Sequence, residues 1–540
     1  MQNPAENNSV SQPNRTFRVV LIIVAIVACL AAGFAVVQTI RGDNPTQATQ
    51  PTIDAAAQAE AARNTIAITL GDHQLNAVEV NYFYMETVNN FCNQFSYYIY
   101  YLMDVSKPLN EQKCTLDESM TWADYFMAMT QDNIKSTYML CDMAKENNFT
   151  LSEDLLAYRD SMVESIKSAA TQYKYDSTDA YLEDVFGYGA DLESYTKYFE
   201  MTLLADAYYA HYADSLTFDA DALNAFEAKD PKQYNGYCYA YYTLDPAKFL
   251  TGGVEGSDGK VTYTDEQKAA AVEAAREAAN ALNGSVCADL EAFNALILGM
   301  DINASLESVS IKEMTDVFPS KLEEAFKEWL MSDERTPGQI TVIPKTSKDS
   351  DNNEVTEGFY ILWFGGVNAN DFALKDVRHL LITFKDDNGK TYSDGVTKFT
   401  DAQKAAAKTQ IDAILAHWEA GEMTDEIFAA LATEKTEDPG SKEKGGLYTN
   451  IYPGQMVESF EKWCYDETRE VGDYGIVETV YGYHLMFFVG DSEMTYREYM
   501  ITQNLRNQTL SDWHKALVES AKITVVNLDY CELDLVLSPA

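Results

Sequence analysis

The chain has 540 residues, which is enough for about three or four domains of ordinary size. Apolar residues make up 46% of the chain and charged residues 23%, a composition that is typical of packed globular domains and excludes a wholly disordered chain. Asp and Glu number 84 against 40 Lys and Arg, so the formal net charge is −44. A surface this acidic repels phosphate backbones, and we therefore expect no nucleic-acid partner.

The N-terminal region contains an uncharged, mostly apolar run between two arginines, residues 19–40. As a helix this run would be about 33 Å long, enough to cross the hydrocarbon core of a bilayer. Arginines precede it and few positive charges follow, so we predict a single-pass membrane anchor with residues 1–18 cytoplasmic and residues 41–540 extracytoplasmic. A lipoprotein anchored at Cys29 and a cleaved signal peptide are the alternatives, and both leave the bulk of the chain outside the cytoplasm.

The next two segments differ in composition. Residues 41–63 are small and polar and predict a linker. Residues 64–230 are almost free of proline, and apolar residues such as Met162 and Ile166 recur at helical spacing, which predicts a helical domain opened by a short pair of strands. We expect residues 491–540, a polar helix followed by a strand, to complete this domain.

Three sequence patterns occur twice in the same order after residue 230. DGKVTYTDEQKAAA matches DGVTKFTDAQKAAA, LEEAFKEWL matches MVESFEKWC, and EGFYILWFGG matches YGYHLMFFVG, at offsets of 136, 134 and 124 residues. Three ordered matches predict two related domains in tandem, at residues 231–370 and 371–490. Each reads as strand, helices, helix, strand, strand, the order of an α+β domain with a small antiparallel sheet surrounded by helices.

The second unit carries five further blocks in a fixed order. They are V-R-H-L-L at 377–381, F-A-A-L-A at 428–432, T-E-D-P-G-S-K-E-K-G-G at 436–446, P-G-Q-M-V-E-S-F-E at 453–461 and V-E-T-V-Y-G-Y-H-L at 477–485. Together these blocks resemble the parvulin family of peptidyl-prolyl cis–trans isomerases. The layout of the whole chain resembles the PrsA-like and SurA-like foldases, which implies a SurA-N-like helical chaperone domain followed by two parvulin-like domains.

The resemblance also implies a site for rotation about Xaa-Pro bonds. The matching catalytic group consists of polar side chains: His379, Asp438, Thr479 and His484. The matching substrate-binding group lines a slot for the prolyl ring: Met456, Phe460 and Tyr481. No cofactor and no metal are implied, because the rotation requires neither a nucleophile nor a Lewis acid.

Within this resemblance each residue has a role. The two histidines hydrogen-bond each other, Thr479 supports them, and Asp438 faces the prolyl carbonyl or amide. Met456 and Phe460 are four residues apart, so we expect them on one helical face. Taken alone, each has another interpretation: His484 alternates with apolar neighbours as a core histidine would, and Asp438 before Pro-Gly could start a turn.

The sequence departs from the family pattern beside the site. Many relatives carry G-G-D-L-G-x-F where this chain has Gly-Gly-Leu-Tyr-Thr-Asn-Ile at residues 445–451. An insert-like loop at 385–398 follows the first strand of the unit. The resemblance therefore leaves the shape of the site and its substrate preference open.

The first unit, 231–370, lacks the implied catalytic group. Approximate alignment puts three other residues in place of the two histidines and the methionine: Tyr239, Tyr360 and Leu322. Asp438 has no convincing counterpart there. We therefore expect this degenerate parvulin-like domain to bind clients or act as a spacer, without isomerase activity.

The leading functional hypothesis is a membrane-anchored extracytoplasmic foldase that binds unfolded exported polypeptides and isomerises their Xaa-Pro bonds. A non-catalytic holdase that uses the parvulin fold only for binding is the first alternative, and a surface adhesin or structural protein is the second. The eight cysteines form no C-x-x-C pair. Disulfides among Cys92, Cys114 and Cys141 and buried free thiols both remain open.

Overall fold

The computed structural model describes residues 55–96, 98–392 and 395–537. The predicted anchor, residues 19–40, and the alternative lipidation site Cys29 lie outside these residues. Among the helices in the described ranges, none combines the length and apolar character needed to span a membrane. The described chain is a mixture of helices and antiparallel sheets, so the mixed fold class expected from the sequence is confirmed.

Helices dominate the described chain before residue 236, and long strands become frequent after it. The helices are α1 Ala55–Asn64, α2 Ala77–Gln94, α3 Ile99–Leu102, α4 Trp122–Glu146, α5 Glu153–Gln172, α6 Thr178–Phe186, α7 Leu192–Ser215, α8 Ala220–Glu227, α9 Asp265–Asn280, α10 Leu290–Leu298, α11 Glu324–Leu330, α12 Asp401–Glu419, α13 Asp425–Lys435, α14 Glu458–Cys464 and α15 Tyr496–Ser520. The strands are β1 Ile66–Leu70, β2 His73–Asn76, β3 Gly236–Leu244, β4 Val254–Glu255, β5 Val261–Thr262, β6 Lys312–Val317, β7 Ile340–Lys348, β8 Glu354–Asn368, β9 Ala373–Thr383, β10 Leu447–Ile451, β11 Tyr474–Glu478, β12 Gly482–Thr495 and β13 Ile523–Val525.

The chain divides into two compact units. The first contains the described residues up to Thr217 together with those from Arg506 onward, and the second contains Phe218–Leu505. In the first unit, helices α1–α7 accompany a three-stranded antiparallel sheet in the order β13–β1–β2. The C-terminal strand β13 thus pairs with the first strand of the domain, with Ile68 opposite Val525.

Helix α1 corrects part of the linker prediction. Residues 55–63, which fall within the predicted linker 41–63, belong to this helix, and residues 41–54 lie outside the described residues. The sequence AAAQAEAARN is rich in alanine, the residue with the highest helix propensity. Ala59 and Ala62 are buried, so packing adds to that propensity.

The first unit is built around a large aromatic core. Asn76 and Glu79 form a reciprocal capping box at the start of α2, and Thr121 and Asp124 do the same for α4. The interior of the unit includes fully buried aromatic side chains: Tyr82, Trp122, Phe126, Tyr181 and Tyr195. Tyrosine side chains therefore form part of the core of this unit.

The second unit contains two four-stranded antiparallel sheets with the same strand order. The first is β6–β3–β8–β7 and the second is β10–β9–β12–β11. Helices α9 and α12, which follow the first strand of each set, begin with equivalent capping boxes, Thr264 with Gln267 and Thr400 with Gln403. The three repeated sequence patterns thus fall on equivalent elements of the two domains: the starts of α9 and α12, helices α11 and α14, and strands β8 and β12.

Strand register corrects one expected equivalence between the two sheets. His379 lies opposite Met486 in the second sheet, and Tyr241 lies opposite Leu362 in the first. Because residues 362 and 486 are related by the repeat offset, Tyr241 occupies the position of His379, and the alignment with Tyr239 is wrong. Residues 239 and 241 share one face of a strand with a period of two, so the sequence pattern alone could not separate them.

The second sheet is covered on both faces, and this arrangement positions the site. One face packs on α12 and α13 through buried residues: Leu380, Ile382, Trp418, Phe428 and Leu485. The opposite face packs on α14 through Val377, Phe460 and Met486. His379 and His484 are also buried and contact Phe460, so they belong to the face that α14 covers.

The cysteines in the described ranges are free thiols, and those at 92, 114, 287, 464 and 531 are buried. Of the two alternatives that the sequence left open for Cys92, Cys114 and Cys141, the structure has the unpaired thiols. Cys92 and Cys114 pack in the core of the first unit as small apolar side chains.

Candidate active site

The structure brings the predicted polar group together from four separate segments. His379 comes from β9 and His484 from β12, while Thr479 lies in the turn between β11 and β12. Asp438 lies in the loop after α13. His379, Thr479 and His484 are buried, and the Asp438 side chain is 15% exposed.

These four side chains form a continuous chain of hydrogen bonds. His379 Nε2 is 2.9 Å from Asp438 Oδ2, and His379 Nδ1 is 3.0 Å from His484 Nδ1. His484 Nε2 is 2.9 Å from the hydroxyl oxygen of Thr479. The backbone N–H of Tyr481 donates to that same hydroxyl oxygen at 3.1 Å.

The hydrogen-bond partners determine which atom donates and which accepts at each step of this network. An ionised Asp438 can only accept, so His379 donates from Nε2 and its Nδ1 is left as an acceptor. His484 then donates from Nδ1, and its Nε2 accepts the hydroxyl proton of Thr479. Every polar atom of the two rings has a partner when both imidazoles are neutral, and the tautomers follow from the network.

Burial and hydrogen bonding control the charges of the side chains in this hydrogen-bond network. Burial would raise the pKa of Asp438, but the hydrogen bond and electrostatic attraction of His379, together with hydrogen bonds from Ser441 and Tyr448, hold that pKa well below its ordinary value. Burial, reinforced by the proximity of His379, lowers the pKa of His484 well below 6.5. The site therefore holds one ionised carboxylate and a neutral His484 at neutral pH.

The predicted apolar slot is lined by Phe460 and Met456. The Phe460 ring meets His379 and His484 edge-on, with both centroid distances at 5.5 Å. Met456 is half-buried and packs against the apolar cluster that contains Phe460. However, α14 begins at Glu458, so the expectation that both side chains share a helical face is wrong: Val457 has extended backbone angles that end the preceding turn.

Tyr481, the third predicted substrate-binding residue, lies half-buried in the turn that carries Thr479. Its carbonyl accepts a hydrogen bond from Phe384 N at 2.9 Å, which ties the turn to the end of β9. The next residue is glycine because a Cβ at Gly482 would lie 2.1 Å from Ile382 O. A cleft of about 580 Å³ opens beside this turn, with Thr479 and Val480 in its lining.

Two residues of the polar cluster were missed by the sequence reasoning. Ser441 donates to Asp438 Oδ2 at 2.5 Å and also lies 3.0 Å from His379 Nε2. Tyr448 donates to the same carboxylate oxygen at 3.0 Å. Ser441 lies in the same sequence block as Asp438, which was an available signal, whereas Tyr448 falls in the strand where the family pattern is not followed.

The loop that carries Asp438 is held in place by Arg378 and Gly446. Arg378 forms a two-point ion pair with Asp425, at 2.6 and 3.0 Å, and donates to the carbonyls of Lys444 and Gly445. Gly446 has a φ of +75°, and a Cβ there would lie 2.2 Å from His379 O. These contacts fix the loop against β9 beside the first histidine.

No cluster of three or more His, Cys, Asp or Glu side chains with a metal-binding arrangement occurs among the described residues. The site is thus made of an ionised acid, two imidazoles, hydroxyl groups and an apolar wall. These groups can bind an amide and oppose its charge separation without any covalent step.

Residues 367–489 match the PPIC-type PPIASE domain family. This part of the chain is a parvulin-type domain. Among its relatives, Foldase protein PrsA 4 of Bacillus cereus is 38% identical over 114 residues, which cover 19% of this chain and 40% of that protein. Foldase protein PrsA 3 of Bacillus anthracis is 43% identical over 70 residues, or 13% of this chain and 24% of that protein. The chain therefore spans 40% or less of the length of these two relatives.

Two solved structures also resemble part of the chain. A PrsA peptidyl-prolyl isomerase from Bacillus anthracis matches 28% of this chain and 59% of its own at 22% identity and a TM-score of 0.18. A SurA-like chaperone of Campylobacter jejuni matches 27% of this chain and 51% of its own, at 22% identity and a TM-score of 0.17. The assignment of the parvulin-type domain rests on the family match and the sequence relatives.

Proposed function

We propose that the chain is an extracytoplasmic foldase that binds unfolded exported polypeptides and isomerises their Xaa-Pro bonds in residues 371–490. The observation that carries this proposal is the convergence of His379, His484, Asp438 and Thr479 beside the Phe460 ring. The PPIC-type family match and the PrsA foldases among the relatives support it.

The chemistry requires a lowered barrier to rotation about one amide bond, which is about 20 kcal/mol uncatalysed. The planar amide is charge-separated, with a negative oxygen and a positive nitrogen, and the twisted amide is less so. An apolar slot formed by Phe460 and Met456 disfavours that charge separation. An ionised Asp438 next to the prolyl carbonyl oxygen opposes the negative charge there and so favours the twisted state.

The first sheet domain carries no comparable site in this proposal. Tyr241 and Tyr360 occupy the positions of the two histidines, and their rings pack 5.5 Å apart against Phe326, at 5.1 and 5.0 Å. The Tyr241 hydroxyl donates to Glu323 at 3.2 Å. Aromatic rings in contact with one another thus stand in place of the two imidazoles, which supports a binding or spacing role.

Client binding is proposed for the helical first unit. Three neighbouring tyrosines at its surface are unusually exposed: Tyr98 at 65%, Tyr100 at 61% and Tyr101 at 84%. A cleft of about 440 Å³ lies beside Tyr100 and Tyr101. An exposed tyrosine offers an apolar ring and a hydroxyl group that can hydrogen-bond. An extended, unfolded segment can use both, because its apolar side chains lie next to backbone polar groups.

The proposal places residues 41–540 outside the cytoplasm, with attachment to the lipid bilayer through residues 19–40 or a lipid on Cys29. Exported polypeptides emerge unfolded on that side, and their Xaa-Pro bonds isomerise in tens to hundreds of seconds without help. A mass measurement of the mature N-terminus distinguishes the anchored, lipidated and cleaved forms.

The test of catalysis uses the full chain and a short Xaa-Pro peptide whose cis–trans rate is followed directly. We expect the wild type to accelerate isomerisation and Asp438→Asn to lower kcat/KM by about tenfold or more, because the carboxylate charge is lost at constant shape. Asp412→Asn, at an exposed helical ion pair, is the matched control and should retain full activity.

A second measurement separates catalysis from holding. Suppression of aggregation of a denatured client by the wild type and by Asp438→Asn should be equal, since the helical unit is unchanged. A folded wild-type chain that holds clients without accelerating isomerisation would identify the non-catalytic holdase instead.

A further inference from the structure

Tyr448 lies where an apolar wall and a charged group meet. It sits on the edge strand β10, paired with Val377 of β9. Its half-buried ring packs with the cluster that contains Phe460 and Met456. The same ring stacks on His379, with centroids 5.0 Å apart and planes 23° from parallel.

The hydroxyl of Tyr448 completes the surroundings of Asp438. Three donors converge on the single oxygen Oδ2: His379 Nε2 at 2.9 Å, Ser441 Oγ at 2.5 Å and Tyr448 OH at 3.0 Å. Gly440 leaves space for this contact, because a Cβ there would lie 3.0 Å from the Tyr448 hydroxyl oxygen. The acid is thus held from β9, from β10 and from its own loop.

The first sheet domain provides an internal comparison. Tyr448 pairs with Val377, which lies opposite Phe488. In the first sheet Met314 pairs with Tyr239, which lies opposite Phe364, and residues 364 and 488 are related by the repeat offset. Met314 therefore stands where Tyr448 stands. The first sheet domain, which has tyrosines in place of the two histidines, therefore also lacks a hydroxyl group at the position of Tyr448.

We propose that Tyr448 is a positioning residue of the isomerase site, whose hydroxyl orients Asp438 and whose ring forms one wall of the prolyl slot. This inference rests on the proposed function. The hydroxyl keeps Oδ2 in line with His379, which keeps the proton on His379 Nε2 and so maintains the direction of the imidazole chain. The ring keeps water away from that bond and offers an apolar surface to the substrate.

The titratable groups that face Asp438 are His379 from β9, His484 from β12 and Tyr448 itself. Burial, together with the charge of Asp438, raises the pKa of Tyr448 far above its ordinary value. Tyr448 is therefore a neutral donor at neutral pH. Loss of its hydroxyl removes a donor to an ionised group without changing any charge.

The experiment compares Tyr448→Phe with the wild type in the full chain. We expect kcat to fall about tenfold with KM within about twofold, because Phe retains the wall and loses only the hydroxyl. The acid limb of the pH profile should move to higher pH by about one unit, since Asp438 loses a donor to its ionised form. Tyr448→Met, which copies the first sheet domain, should also raise KM.

A spectroscopic readout tests positioning independently of turnover. The chain contains six histidines, so selective ¹⁵N-histidine labelling gives few signals to assign. We expect the chemical shift of the His379 Nε2–H signal to change in Tyr448→Phe, because its acceptor, Asp438 Oδ2, loses one of three donors. Gly440→Ala, which keeps the tyrosine but pushes on its hydroxyl, should shift the signal in the same direction.

The matched control is Tyr465→Phe. The Tyr465 hydroxyl donates to the backbone carbonyl of Ile451 at 2.7 Å in the same domain, so its loss affects stability without reaching Asp438. A Tyr448→Phe variant with the wild-type kcat, pH profile and histidine signals would overturn the proposal. If the wild type itself shows no isomerase activity, the proposed function fails, while the histidine signals still decide whether Tyr448 positions Asp438.

Discussion

His379 and His484 are diagonal neighbours on adjacent antiparallel strands. His379 lies opposite Met486 and His484 lies opposite Leu381, and the two Nδ1 atoms are nevertheless 3.0 Å apart. Side chains on one face of a sheet reach across such diagonals. This geometry lets one ring point to the acid and the other to the turn, so the two ends of the site are connected through a buried pair.

Replacement of His484 by alanine should destabilise the parvulin-type domain by about 1–3 kcal/mol, because His379 Nδ1 and the Thr479 hydroxyl lose their buried partner. Isomerase activity should fall with it. The measurement is urea unfolding of the full chain together with the peptide assay. His417→Ala, at an exposed position on α12, is the control and should change stability by less than about 0.5 kcal/mol.

Stability should decrease as the pH falls below about 6.5, at up to about 1.4 kcal/mol per pH unit from His484 alone. The pKa of His484 is lowered in the folded protein, so the unfolded chain binds this proton first, and acid therefore favours unfolding. Asp438, whose pKa is also lowered, adds a further loss below about pH 4. Urea midpoints measured from pH 7.5 to 5 test the first window, and an unchanged slope in His484→Gln would contradict it.

Gly446→Ala should unfold or severely destabilise the domain that carries the site. The new Cβ would lie 2.2 Å from His379 O, and the residue would keep a φ of +75°. Gly389 is a matched control, since it has a φ of +79° with no atom within 4 Å of a Cβ. Gly389→Ala should cost only about 1 kcal/mol of backbone strain, and similar melting temperatures for the two variants would count against the steric argument.

Arg378→Lys should lower isomerase activity and stability together. Arg378 pairs with Asp425 through two nitrogens and also donates to two carbonyls of the loop behind Asp438, and lysine cannot reproduce this fork. We expect a loss of about 1–2 kcal/mol in thermal or urea unfolding. Lys462→Ala, at an exposed helical ion pair, is the control, and equal effects in the two variants would refute a special role for Arg378.

Much of the site followed from residue identity and order. The five blocks in residues 377–485 led to His379, Asp438, Thr479, His484 and Phe460, and the structure brings these together. Helix starts were also predictable where a cap lies next to its helix, as at Thr400 with Gln403. Such features depend on neighbours within a few residues, and a pattern can carry them.

Other features depended on where the chain goes between its elements. Met456 lies outside α14 because Val457, the residue just before the helix, has an extended backbone. Spacing by four residues does not reveal this. Tyr239 and Tyr241 lie on the same face of β3, so only the strand register can show which of them matches His379. Pairing with β8 sets that register and selects Tyr241. Tyr448 meets Asp438 only because β10 pairs with β9.

The amino-acid sequence by itself thus determined the repeated α+β units, the mainly helical first region and the chemical groups of the site, since composition, periodicity and ordered blocks are local properties. Only the tertiary structure decided that three donors meet on one oxygen of Asp438, that the thiols in the described ranges stay unpaired, and that two tyrosine rings meet at the equivalent positions of the first sheet. The physical reason is distance along the chain: hydrogen bonds and ring contacts between residues tens of positions apart form only when register and loop paths bring them within a few ångströms.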